Sequence, residues 1–251
     1  MGLVETEALV LRTYNLAEAD KIVVCLTRNA GLVRGVARGS RRIKNRFGAA
    51  LEPFTLLTIT YYQKENQELV SLRHVEIVKS HFDLSRNHET LAGLAYMGDL
   101  LVEFSPPHQT NDKLFRMVKA CLDAVAQGPQ ELQSILRYFE IWILRLEGFL
   151  PDLHRCAGCN KLLAREDVIL IGADVGLRCR TCAQGKGEVL SSRAYSQLCS
   201  AQKFGPLIFA LEARDLSTGT QREIASLTHR LIGQVLERPP RIQSTVQALR
   251  V

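Results

Sequence analysis

Residues 21–51 contain no acidic side chain. The same stretch carries eight cations: Lys21, Arg28, Arg34, Arg38, Arg41, Arg42, Lys44 and Arg46. Other absences bound the chain further. No apolar run is long enough to span a bilayer, so no membrane partner is expected. Met1-Gly2-Leu3-Val4-Glu5-Thr6-Glu7 has early acids and no long apolar core, so no signal peptide is expected either. There is no G-x4-G-K-[ST] loop and no G-x-G-x-x-G fingerprint, which removes two common phosphate cradles. Acids do not cluster as a metal-dependent nuclease requires. Glu18 lies near Asp20 and Glu166 near Asp167, and an exposed polar turn explains each pair.

The chain has 251 residues and is 46% apolar, enough for a sizeable core in one large or two modest domains. Its net charge of +6 is unevenly spread. Residues 81–149 hold 6 basic and 9 acidic side chains, net −3, whereas residues 150–251 hold 14 and 9, net +5. A concentrated, acid-free stretch is the electrostatic footprint of a site for a polyanion.

Seven cysteines include two pairs, Cys156 with Cys159 and Cys179 with Cys182, separated by nineteen residues. Each C-x2-C turn aims two sulfurs at one point, and two such turns complete a tetrahedral four-thiolate site. This predicts one structural Zn2+ per chain, held by Cys156, Cys159, Cys179 and Cys182. With no open position, such a site is not catalytic. Disulfides would need an oxidising compartment. The odd cysteine number and the single Cys25, Cys121 and Cys199 in apolar surroundings argue instead for the reducing cytosol. His74-Val75-Glu76 spells the H-x-E of a zinc deaminase, but that chemistry needs Pro directly before the first Cys, and Arg155 stands there.

Periodicity divides the chain. Residues 4–78 read as β, with strands at 7–13, 21–27, 32–38, 54–62 and 69–79 and turns at Asn29-Ala30-Gly31 and Lys64-Glu65-Asn66-Gln67. Five short strands joined by tight turns suit a small barrel. Helical spacing then appears at 84–104, 112–127 and 129–146. Pro106-Pro107, Gly128-Pro129 and Gly148 with Pro151 punctuate it. The cysteine module spans about 154–188, with a hairpin at Val168-Ile169-Leu170-Ile171 and Gly176-Leu177. Ser191-Ser192 caps a short helix to Gln202, Gly205-Pro206 breaks the chain, and a last helix covers 218–236 before Arg238-Pro239-Pro240. The expected fold is α+β: an N-terminal oligonucleotide-binding (OB) β-barrel over 1–80, then an α-helical domain over 81–251 with an inserted four-cysteine zinc finger.

Single-strand binding needs cations for phosphates and aromatic faces for bases. Arg34, Arg38, Arg41, Arg42, Lys44 and Arg46 supply the first, and Phe47 is a candidate for the second. Phe47 sits amid glycines and cations, where it either stacks on a base or anchors the loop. Phe54 reads as core. Tyr61 and Tyr62 are adjacent in a strand, so their rings point to opposite faces.

Three stretches resemble the RecO family of bacterial recombinational repair proteins. The first is Gly31-Leu32-Val33-Arg34-Gly35-Val36-Ala37-Arg38-Gly39, with Arg41-Arg42 and Phe47-Gly48-Ala49-Ala50-Leu51-Glu52-Pro53-Phe54. The second is Phe139-Glu140-Ile141-Trp142-Ile143-Leu144-Arg145-Leu146-Glu147-Gly148-Phe149-Leu150-Pro151. The third is Cys156-Ala157-Gly158-Cys159 with Cys179-Arg180-Thr181-Cys182. The resemblance implies an OB barrel, a helical domain and a zinc finger. It implies binding to single- and double-stranded DNA and annealing of complementary strands, without enzymatic chemistry. It also implies RecR and the single-strand binding protein SSB as partners, help in loading RecA, and a bacterial, cytoplasmic, nucleoid-associated setting. A zinc-ribbon protein of transcription or translation, and a nuclease, are the alternatives.

Overall fold

A computed structural model describes residues 2–63, 68–106, 109–164, 169–172 and 174–237. The expected turn at 64–67, Pro107, Glu166 with Asp167, Val168 and Arg238-Pro239-Pro240 lie outside the described residues. The chain forms two compact units, Met1–Leu122 and Asp123–Val251.

The first unit begins with β1 (Gly2–Leu16), β2 (Asp20–Thr27), β3 (Gly31–Ala37), β4 (Leu56–Gln63) and β5 (Leu69–Lys79). They close into a barrel in the order β1-β2-β3-β5-β4, with β1 hydrogen-bonded to β4. β3 and β5 run parallel, and the other described strand pairs of the barrel are antiparallel. Alternation decides which side chains fill it. Val10, Val23, Cys25, Val33, Leu57, Ile59, Tyr61, Val70 and Leu72 form the interior. Gly35 has a packing role at the β3–β5 seam: a Cβ there would lie 2.8 Å from Leu72 Cγ. Phe54, expected inside the fourth strand, precedes it. Its backbone is left-handed at φ 62°, and its ring is buried.

Two helices complete this unit. Asn87 caps α1 (His88–Phe104) by accepting bonds from the Glu89 and Thr90 amides. The first residues of the expected 84–104 helix form a 3-10 turn instead, Phe82–Arg86. The α1 helix packs against the barrel at Gly98, where an added Cβ would make ordinary van der Waals contact, 3.7 Å, with the Leu11 carbonyl oxygen and the Phe54 ring. Arg12 on β1 pairs with Asp99 of α1 at 3.1 Å. The second helix, α2 (Asp112–Gln127), starts in this unit and crosses into the next.

The second unit is built around α3 (Leu132–Leu146). Next come β6 (Ile169–Ile171), β7 (Leu177–Cys179), α4 (Arg180–Ala183), β8 (Glu188–Leu190), α5 (Ser192–Ser200), α6 (Pro206–Glu212) and α7 (Thr218–Leu236). The three strands form a small sheet in the order β7-β6-β8. Ile135, Phe139, Ile143, Leu198, Phe209, Leu227 and Leu231 are among the buried side chains of this unit. Ser191 and Ser217 cap α5 and α7 through their hydroxyls. The helix α6 stands where the sequence suggests only a break at Gly205-Pro206. Pro206 occupies its first turn, where proline's missing N–H costs nothing. Glu140 of α3 is fully buried. It accepts from Arg137 at 2.7 Å and from the Thr228 hydroxyl at 2.6 Å, with His229 Nε2 at 3.4 Å.

Candidate nucleic-acid interface and metal centre

The loop between β3 and the 3-10 turn Gly48–Leu51 carries the basic cluster. Its base is pinned. The Gly39 amide donates to Asp20 Oδ1 at 2.7 Å, and the Arg41 amide donates to the Ala19 carbonyl at 3.0 Å. The Arg41 guanidinium donates to the Ala17 carbonyl at 2.9 Å, so the loop is tied to the β1–β2 turn. Asn45 then closes the far end. Its amide nitrogen donates to the Arg42 carbonyl at 3.0 Å, and its oxygen accepts from the Phe47 and Gly48 amides at 2.9 and 2.8 Å.

Phe47 is 3% exposed and packs in the barrel core. That corrects its candidacy as a base-stacking residue: its ring anchors the loop from beneath. Arg46 lies over that ring at 4.9 Å and donates to the Leu72 carbonyl at 3.1 Å. Arg34, Arg38, Arg41, Arg42, Lys44 and Arg46 are all exposed. Among the described residues, none of the six has an ion-pair partner. Arg28 differs. It is paired with Glu7 and Asp112, each at 2.8 Å, and holds β1, β2 and α2 together. The acid-free stretch is therefore one structural arginine, Lys21 on β2, an exposed Arg34 on β3, and a loop of five cations, Arg38, Arg41, Arg42, Lys44 and Arg46, without ion-pair partners among the described residues.

A further cation is invisible to local sequence patterns. Arg73 lies in β5, far from the loop in sequence, and only register brings it near the loop. It is exposed and, like Arg38, lines a groove on the outer barrel wall beside Tyr62. Tyr61 is 1% exposed and points into the core, so Tyr62 faces out.

In the second unit, the ligand atoms of Cys156, Cys159, Cys179 and Cys182 lie within 4.8 Å of one another, with Cys159 and Cys179 sulfurs 3.9 Å apart. Tetrahedral thiolates around one ion at about 2.3 Å would be separated by about 3.8 Å, so the donor set fits a closed metal site. Local backbone explains the arrangement. Asn160 adopts a left-handed conformation at φ 61° after the first pair. Gly158 is required by space, because a Cβ there would meet Cys182 Cβ at 2.9 Å. The Gly158 and Cys179 amides donate to Cys156 Sγ at 3.4 and 3.3 Å.

Those amides set the electrostatics. Desolvation raises the Cys156 pKa, but bonds from the Cys179, Cys159 and Gly158 backbone outweigh it and draw the thiol down to about 6. Cys182 is pushed the other way, to about 12, through hydrogen bonds with the Cys159, Cys179 and Cys156 sulfurs. Four thiolates this close would repel one another, and a divalent cation at their centre removes that cost. The cluster contains no histidine; His74 and Glu76 are on β5 of the other unit. Cys25, Cys121 and Cys199 are buried and outside it. Burial alone pushes the Cys25 thiol up to about 12.

These features define an α+β protein with an OB-like N-terminal barrel and a four-cysteine module in its helical part. The family model for the N terminal of recombination protein O matches residues 1–81, and the model for its C terminal matches residues 85–243. The DNA repair protein RecO of Geobacter metallireducens (strain ATCC 53774 / DSM 7210 / GS-15) is 30% identical over 241 residues, 95% of each chain. That of Anaeromyxobacter sp. (strain K) is 35% identical over 185 residues, 74% of this chain and 72% of the other. That of Koribacter versatilis (strain Ellin345) is 35% identical over 161 residues, 64% of this chain and 65% of the other. The chain belongs to the RecO family. No helix among the described residues is long and apolar enough to cross a membrane.

Proposed function

We propose that this chain is a DNA-binding recombination mediator that works without enzymatic chemistry. The observation that carries the reading is the pinned loop of exposed, unpaired cations on a RecO-family barrel. Two phosphate backbones repel, and a cationic surface that binds both lowers the cost of bringing complementary strands together. Five loop cations on phosphates give a log–log salt slope of roughly −3.5 on single strands. Single- and double-stranded DNA are both substrates of such a grip, since it carries no base code. The barrel over 1–80 is the DNA-binding domain, and the helical part over 81–251 carries the metal module.

Family membership supports RecR and SSB as partners and the loading of RecA on SSB-coated strands, in a bacterial cytoplasm at the nucleoid. The metal is zinc, one per chain, held by Cys156, Cys159, Cys179 and Cys182. It fixes the module and takes no part in chemistry, because four thiolates leave it no open position.

The test is annealing of complementary oligonucleotides, bare and SSB-coated, without ATP. Acceleration by the purified protein is expected, more so with RecR on coated strands. Absence of acceleration on bare strands would contradict the reading, as would magnesium-dependent cleavage of labelled DNA.

A further inference from the structure

Register aligns three strands across the outer barrel wall. Tyr62 of β4 pairs with Ser71 of β5, and Ser71 pairs with Val36 of β3. Their neighbours Tyr61, Val70, Leu72 and Ala37 fill the core, so alternation turns Tyr62, Ser71 and Val36 outward. Arg38, just past the end of β3, and Arg73, at a register irregularity of β5, border the same surface. Together with Leu69, 40% exposed, these side chains line a groove of about 610 Å³. Small Ser71 forms a low floor, and the half-buried Tyr62 ring forms a wall. Glu68 also reaches the groove and offsets one of its two cations. Among the described residues, neither Arg38 nor Arg73 has an ion-pair partner.

The chemistry of the lining selects its ligand. A purely electrostatic grip on a backbone has no use for an aromatic wall or an exposed leucine. An apolar ligand has no use for two guanidinium groups. A nucleotide needs both kinds of surface, a face for its base and cations for its phosphates. Inside a duplex, both faces of a base are covered by stacking and its edge is paired, so no base can reach the wall. Arg38 belongs to the groove and also begins the cation loop, so the two surfaces share a cation.

We propose that this groove holds one unstacked nucleotide of a single strand, with Tyr62 against the base and Arg38 and Arg73 on the adjoining phosphates. Tyr62 is then the residue that favours single strands over duplexes, while the loop grips either. The inference rests on the barrel being the DNA interface.

The test compares dissociation constants of wild-type protein, Tyr62→Ala and Tyr62→Phe for an oligothymidylate, an abasic strand of equal length and a duplex. Tyr62→Ala should weaken binding of the intact single strand about 5- to 100-fold, as expected when one base loses its stacking partner. Binding of the abasic strand and the duplex should hardly change. Tyr62→Phe should keep wild-type behaviour, because the ring and not the hydroxyl meets the base. Arg73→Ala should reduce the single-strand salt slope by roughly 0.7. Should Tyr62→Ala fail to fold, Ser71→Leu, which fills the floor, must produce the same selective loss. A folded Tyr62→Ala, or failing it a folded Ser71→Leu, with the wild-type ratio of intact to abasic binding overturns the groove. Wild-type protein that binds neither single strand nor duplex overturns the parent reading instead.

Discussion

The cation loop of the first unit and the cysteine module of the second solve opposite electrostatic problems with similar means. Each is a short irregular segment beside β-strands, with its backbone pinned by local hydrogen bonds. In the loop, like charges point away from the protein: Arg38, Arg41, Arg42 and Lys44 are exposed, and their neutralising partner must come from outside. In the module, four sulfurs lie within 4.8 Å of one another and, as thiolates, would repel unless a cation sat between them. The loop therefore tolerates loss of any one residue, since phosphates are neutralised one by one. The module does not, because a tetrahedral site lacking a ligand is no longer closed. The barrel also has its own core, with Phe47 beneath the loop.

That contrast can be broken in order of expected effect. Cys156→Ser or Cys179→Ser, or removal of the metal with a chelator, should give the largest loss, since metal binding in such modules is folding free energy of about 10–16 kcal/mol in isolated peptides. Metal analysis with thermal unfolding checks it; a variant lacking metal with unchanged stability would count against a structural role. Next is Glu140→Gln. Glu140 is fully buried between Arg137, Thr228 and His229, and removing one side of a buried pair costs about 3–5 kcal/mol. Burial raises the Glu140 pKa, but Arg137, His229 and Thr228 outweigh it, so the folded-state value lies below the ordinary carboxylate range. Its contribution is thus present above the unfolded pKa of about 4.3 and is lost as pH falls below it. The glutamine variant should show a shallower acid limb in denaturant titrations as pH falls below about 5. Arg28→Ala is smaller again and separates structure from binding: its pairs with Glu7 and Asp112 go, while the DNA salt slope stays at the wild-type value. Least of all, alanine at Cys25, Cys121 or Cys199 should leave metal content unchanged, because all three lie outside the cluster. Reduced metal in any folded one of them would reopen the ligand set.

Legibility in the sequence follows the strictness of the geometry. The clustering of the four cysteines is readable because two C-x2-C turns at that spacing each aim two sulfurs at one point. Strands β2, β3 and β5 and helices α2 and α7 match closely, since their alternation or 3.6-residue period is unbroken and their ends carry clear turn or cap signals. The differences elsewhere share a cause. Phe54 has strand composition but a left-handed backbone, which composition does not encode. Pro206 reads as a break, although the first turn of a helix accepts proline. Phe47 lies between cations in sequence yet beneath them in space, because Asn45 turns the chain inward. Arg73 and Tyr62 come together only through pairing of β4 with β5, information that no local pattern holds.

The central claim is that the pinned cation loop is the main grip on DNA. Its most direct test is the salt dependence of single-strand binding by a variant with Arg38, Arg41, Arg42 and Lys44 all changed to Ala. These side chains are exposed, so the barrel should stay folded. The account predicts a log–log slope shallower by roughly 0.7 for each phosphate no longer neutralised, up to about 2.8 in total, with little dependence on base sequence. A folded quadruple variant with wild-type affinity and wild-type slope would contradict it.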